Sequence, residues 1–201
     1  GSDDGTARIW AAATGGQELA LPEHTARINS VAFSPPDGKV LAAASWDGTA
    51  DLYNSQTGER LVQLRDPGGK PIQSIDFSSD GSLVATASGD GRGKGTVVVW
   101  EAAGGKQRYA WKHDGTLYGA AFDPAGKQLV VTGSGGQIYL YDLNSGEQVK
   151  TLGDGTQAVY DGVFSPDGKL LATANWDGTA QVWSLPAGEL EHTLRGHTDR
   201  I

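Results

Sequence analysis

The sequence predicts an all-β chain made of one turn-rich unit repeated along its length. Three observations predict it. The segment from Phe164 to Trp183 reads FSPDGKLLATANWDGTAQVW, two apolar runs separated by tight turns. Similar phrases run from Phe33 to Tyr53, Phe77 to Trp100 and Phe122 to Tyr141, so Phe33, Phe77, Phe122 and Phe164 fall 44, 45 and 42 residues apart. The 30 glycines among 201 residues supply turns at the density that short strands require. A fixed period of this length marks a repeat architecture before any local argument is made.

Each element of the unit has its own reason. Ser165-Pro166-Asp167-Gly168 sets up a reversal, because Pro fixes φ and Gly accepts positive φ. Leu170, Leu171, Ala172 and Ala174 then make a short, mostly buried strand. Asp177-Gly178 is a hairpin dipeptide, and Thr179 to Trp183 alternates polar and apolar residues as a half-wet strand does. Helical periodicity fits none of it.

In chain order, GSDDGTARIW at the start enters the unit partway, at its second hairpin turn, and QELALPEH (17–24) forms the next strand. The first whole copy is expected to hold strands at about Ile28 to Phe33, Val40 to Ser45, Thr49 to Tyr53 and Arg60 to Leu64. Later copies begin near Ile72, Leu117 and Val159, and the last strand is Glu189 to Leu194. The second of the four phrases carries an insertion at Gly91–Gly95, read as a lengthened loop. The tail GHTDRI (196–201) echoes EHTARI (23–28), where another first strand would begin.

A period in the low forties, four strands per unit and a terminal Trp-Asp-like dipeptide resemble the WD-repeat β-propeller family. The resemblance covers the whole chain. It implies a β-propeller of four-stranded antiparallel blades, strands a to d in order, with about four and a half blades present and the ring incomplete within this chain. The expected units are a half blade (strands c and d) over 1–26 and blades over 27–68, 71–113, 116–154 and 157–201, the last with the start of a further repeat. An uncovered blade face leaves Val, Leu and Trp side chains bare, each worth about 1.5–3 kcal/mol when buried. The unpaired edge of the leading half blade also invites association. Three outcomes stay open: a segment of a longer propeller (roughly seven blades, on the resemblance), completion by a second chain, or self-closure. Gly1-Ser2 is read either as a cloning scar or as a start inside a longer protein.

Composition narrows the function. A formal net charge of −8 argues against a phosphate-backbone partner, which needs clustered Lys and Arg. No apolar run approaches a membrane span, nothing resembles a signal peptide, and a cytoplasmic location is expected. With no cysteine there is neither a disulfide framework nor a thiolate metal site. No catalytic residue, metal or cofactor is expected. The stretch GDGRGKGT (89–96) lacks the residue order of a phosphate loop, since Gly follows Lys94.

The family resemblance implies a hydrogen-bonded set of His before strand a, Ser or Thr in b, Asp in the b–c turn and Trp in c. Carried over position by position, it gives His24, Ala43, Asp47 and Tyr53; Thr86, Asp90 and Trp100; His113, Thr132, Gly136 and Tyr141; and Thr173, Asp177 and Trp183. No repeat holds all four, so this set is structural and partial. Trp10, Trp100 and Trp183 are expected in the core, Trp111 in packing, and His192 on an exposed polar face.

What remains is a surface. The resemblance places the d–a and b–c loops on one face of the disc, where partners commonly dock. The b–c turns present Trp46 and Trp176, and the starts of strands a add Arg27, Asn29, Gln73, Tyr118 and Tyr160. These seven form the expected partner-binding face, with the alternative that the two tryptophans only shield the turns. The function expected is a non-catalytic protein–protein interaction scaffold whose partner is a protein or peptide. Two alternatives are an oligomerisation or sensor module of a larger protein, and an enzyme or small-ligand site in the central channel, where Ser30, Ser74, Asp76 and Asp161 offer no matched base and nucleophile.

Overall fold

Residues 1–201 are described by a computed structural model. Eighteen strands and no helix make up the chain. A leading pair, β1 (Arg8–Trp10) and β2 (Gln17–Ala20), forms a two-stranded sheet. Four four-stranded sheets follow. The first holds β3 (Ile28–Phe33), β4 (Val40–Ser45), β5 (Thr49–Asn54) and β6 (Arg60–Arg65). The second holds β7 (Ile72–Phe77), β8 (Leu83–Ser88), β9 (Lys94–Glu101) and β10 (Gln107–Asp114). The third is β11 (Leu117–Phe122), β12 (Gln128–Gly133), β13 (Ile138–Asp142) and β14 (Gln148–Leu152). The fourth is β15 (Val159–Phe164), β16 (Leu170–Asn175), β17 (Ala180–Ser184) and β18 (Glu189–Leu194). Every sheet is an antiparallel meander with sequential neighbours paired.

The first strands of the four sheets stand side by side, β3 against β7, β7 against β11 and β11 against β15. They are the inner strands of blades fanned about a hub, an all-β propeller arc that stays open. No helix is long and apolar enough to cross a membrane.

The core lies between blades. One apolar cluster joins Ala42, Ala44, Leu52 and Leu64 of the first full blade to Ile72, Ile75, Phe77 and Trp100 of the second. The next joins Ala85, Val97 and Val99 to Leu117, Phe122, Leu129 and Tyr141, and a third joins Val130, Leu140 and Leu152 to Val159, Phe164 and Trp183. Each of the last three blades thus buries its inner-strand Phe and its third-strand aromatic against the blade before it. Phe77, Phe122 and Phe164 are 5%, 8% and 8% exposed, while Phe33, with only a two-stranded sheet before it, is 53% exposed.

The same asymmetry corrects one expectation. Trp10 is not core but 55% exposed, whereas Trp100 and Trp183 are both 7% exposed. Trp10 ends β1 in a sheet with no second-strand neighbour and no blade ahead of it. The insertion also differs from a plain loop: Lys94 and Gly95 belong to β9 and pair with Asp114 and His113, lengthening the outer hairpin and leaving Gly89–Gly93 as the loop. Trp111 packs as expected, its ring 4.1 Å from that of Tyr141, and His192 is exposed.

Candidate functional site

One irregularity builds the face. In each four-stranded blade the pairing of first and second strands skips a residue at the same place: between Ile28 and Ser30, Ile72 and Ser74, Leu117 and Gly119, Val159 and Asp161. A bulge leaves one residue out of the ladder and re-aims its side chain. The four residues so released are Asn29, Gln73, Tyr118 and Tyr160, spaced with the repeat.

They meet the b–c turns. Trp46 and Trp176 are 40% and 47% exposed. The Trp46 indole N–H donates to Gln73 Oε1 at 3.2 Å, and Asn29 Nδ2 donates to the same oxygen at 2.8 Å. Gln73 Nε2 in turn donates to the Gly89 carbonyl at 2.8 Å. The Arg27 guanidinium carbon lies 3.4 Å from the Trp46 ring centre, a cation–π stack. Further round the arc, Tyr118 and Tyr160 have ring centres 5.0 Å apart, Tyr160 and Trp176 5.7 Å, and Arg200 stands 4.8 Å over Trp176. The tail therefore repeats over Trp176 what Arg27 does over Trp46.

Arg27, Trp46, Gln73, Tyr118 and Tyr160 share one hollow of about 580 Å³ with Pro71, Gly89, Asp90, Gly91 and Thr116. The five belong to the seven that sequence reasoning singled out. Asn29 joins through Gln73, and Trp176 lies beside Tyr160. Burial, together with nearby Tyr160, pushes the Tyr118 hydroxyl above its ordinary 10.0, so it stays a neutral donor and acceptor.

The hydrogen-bonded sets are partial and differ between repeats. His24, 8% exposed, has Nδ1 at 3.1 Å from Asp47 Oδ2 and 3.2 Å from Thr49 Oγ1. Asp47 also accepts from the Thr25 and Thr49 N–H groups at 3.0 and 2.9 Å. Burial works against the Asp47 carboxylate, yet these bonds outweigh it and hold its pKa below the ordinary value. Tyr53 is not joined to this turn. Its hydroxyl donates to Asp51 Oδ2, as does Arg60, both at 3.2 Å.

In the second blade Trp100 donates to Thr86 at 2.9 Å, while Asp90 stands apart in an ion pair with Lys70 at 2.6 Å. That lysine keeps Asp90 below the ordinary carboxylate range. The place of the missing His is taken by Asp66, which accepts from Ser88 Oγ at 2.6 Å and from the Gly68 and Lys70 N–H groups at 2.8 Å. In the third blade His113 Nε2 bonds the Tyr141 hydroxyl, and Thr132 faces the Tyr160 carbonyl at 3.5 Å. In the fourth, Trp183 reaches Thr173 at 3.4 Å and Asp177 accepts the Thr179 hydroxyl at 2.6 Å. Asp51, Arg60 and Asp66 were missed by sequence reasoning. Only an Asp ahead of Pro67-Gly68-Gly69 could have hinted at a capped turn.

The channel side is a separate hollow of about 440 Å³ that includes Ser30, Ser74, Asp76 and Asp161. Asp76 accepts the Phe122 N–H at 3.0 Å. Ser30 Oγ accepts the Ile75 N–H at 3.3 Å.

The family model described as "WD domain, G-beta repeat" matches residues 15–54, 58–101, 105–142 and 146–184. The chain belongs to the WD40 repeat family. Among its relatives, WD repeat-containing protein 1 of Gallus gallus is 37% identical over 105 residues, 50% of this chain and 16% of that protein. Eukaryotic translation initiation factor 3 subunit I of Scheffersomyces stipitis is 29% identical over 138 residues, 66% of this chain and 38% of that protein. The small ribosomal subunit protein RACK1y of Oryza sativa subsp. japonica is 26% identical over 132 residues, 65% of this chain and 38% of that protein. The matched WD40 segment thus spans well under half of each relative.

Proposed function

We propose that this chain is a non-catalytic interaction scaffold whose bulge-bearing face receives a protein or peptide partner. The observation that carries the reading is the single hollow holding Arg27, Trp46, Gln73, Tyr118 and Tyr160. Aromatic side chains with a polar end, half exposed around a concavity, are the residues that anchor partners most often. Two relatives are named as members of larger assemblies, a translation initiation factor and the small ribosomal subunit, which supports protein partners and a cytoplasmic setting. The test compares peptide binding by the natural chain with Trp46→Ala, Tyr160→Ala and Trp176→Ala. Loss of binding at nearly unchanged melting temperature is expected. Early unfolding of all three would make these residues structural and remove the site.

A second reading concerns the open ends of the arc, where Trp10, Phe33, Leu190 and Leu194 are all at least 45% exposed. Bare apolar groups of this size favour a further segment or a second chain against those faces. Light scattering on the purified chain tests it, since a monomer with one sharp unfolding transition and no binding of a hydrophobic dye would count against such cover.

A further inference from the structure

We infer that the hollow recognises carboxylate side chains, so that the peptide partner is acidic, with Arg27 as the residue that reads the charge; this rests on the scaffold reading above. Arg27 lines the hollow yet takes part in none of the chain's ion pairs. Its Nε is buried without an acceptor, and none of its N–H groups is bonded within the fold. A guanidinium carries five donors in a rigid fork suited to carboxylate. Here the fork is held flat on Trp46 at 3.4 Å, so its orientation costs a ligand little entropy to find.

The surroundings favour an anion over a cation. The Trp46 face that could stack on a ligand cation is already occupied by Arg27. The carboxylate within the hollow, Asp90, is neutralised by Lys70 at 2.6 Å. On the neighbouring turn, Asp47 is committed to His24, Thr25 and Thr49. Arg27 therefore remains the uncompensated charge there, although the chain as a whole carries −8.

The loop that the second blade alone possesses completes the wall. Its Gly91 N–H donates across to Thr116 Oγ1 of the next blade at 2.8 Å. Lys70 Nζ holds the Arg92 carbonyl at 2.7 Å. Fastened on both sides, the loop contributes Gly89, Asp90 and Gly91 to the lining of the hollow.

The experiment selects binders from a display library of short random peptides on the folded natural chain. It then measures Kd for a selected peptide and for its Glu→Gln and Glu→Lys versions. The inference expects enrichment of Asp and Glu, about tenfold weaker binding on Glu→Gln, and further loss on Glu→Lys. Arg27→Gln should weaken the acidic peptide about tenfold and leave the Gln version unchanged. If Arg27→Gln melts early, salt decides instead: affinity of the natural chain that is flat between low and high ionic strength overturns the inference. Neutral or basic peptides that bind the natural chain and are lost on Tyr160→Ala overturn the acidic preference while sparing the scaffold reading. Peptides indifferent to both Tyr160→Ala and Trp46→Ala, in variants that stay folded, overturn both.

Discussion

The indole of Trp100 donates a hydrogen bond to the Thr86 hydroxyl at 2.9 Å, deep between two blades where Thr86 is 2% exposed. Trp183 makes the equivalent bond to Thr173 at 3.4 Å. Removing the acceptor leaves a buried donor unmet, which costs about 1–3 kcal/mol. Thr86→Val should therefore lower the free energy of unfolding by that amount in a denaturant titration, and Thr173→Val by less, in keeping with its longer bond.

The tryptophans divide by burial. Trp100→Ala opens a cavity in the cluster that joins the first and second full blades and should cost about 3–5 kcal/mol. Trp46→Ala, at a position 40% exposed, should cost under about 1 kcal/mol while abolishing partner binding. Thermal melts beside a binding assay separate the two effects.

Asp76 titrates against the fold. Burial raises its pKa above 3.8 despite the Phe122 and Phe77 N–H groups, and nearby Asp161 adds to the rise. A carboxyl whose folded pKa is raised favours the folded state below its unfolded pKa and loses that contribution as pH climbs through the folded value. Asp76→Asn should thus gain stability relative to the natural chain as pH rises from 3.8 to 7. Unfolding curves at several pH values check the sign, and an unchanged difference across that range would refute it.

His113 behaves in the opposite sense at higher pH. Burial depresses its pKa below 6.5, only partly offset by Asp114, and the ring stacks 3.6 Å from Tyr139. Its contribution is present above 6.5 and is lost as pH falls through the depressed folded value. His113→Gln should flatten that limb of the stability profile, with titration of the ring followed by NMR.

Most strand starts were legible because turn chemistry and period agree: Ile28, Ile72, Leu117 and Val159 begin inner strands as the repeat spacing predicts. The same spacing also foreshadowed the meeting of Arg27, Trp46, Gln73, Tyr118 and Tyr160 around one hollow, and of Asn29 with Gln73. The bulge that turns four of them toward the face was overlooked, although it marks the sequence: in β7 the buried Ile72, Ile75 and Phe77 are spaced three and then two residues apart, a break in strict alternation. Trp10 misled because its sequence neighbours match those of Trp100 and Trp183, while its burial depends on strands that a local phrase does not contain. Asp51 with Arg60, and Asp66 with Ser88, are meetings between elements that sequence order separates, and they follow only from the folded register.

The skipped residue in each inner strand gives the disc a detachable vocabulary. Ladder pairs on both sides of Asn29, Gln73, Tyr118 and Tyr160 are complete without them. Those four letters can be respelled, one per blade, while the grammar of the sheet stays intact, so that what the rim says and how the hub stands are free to diverge.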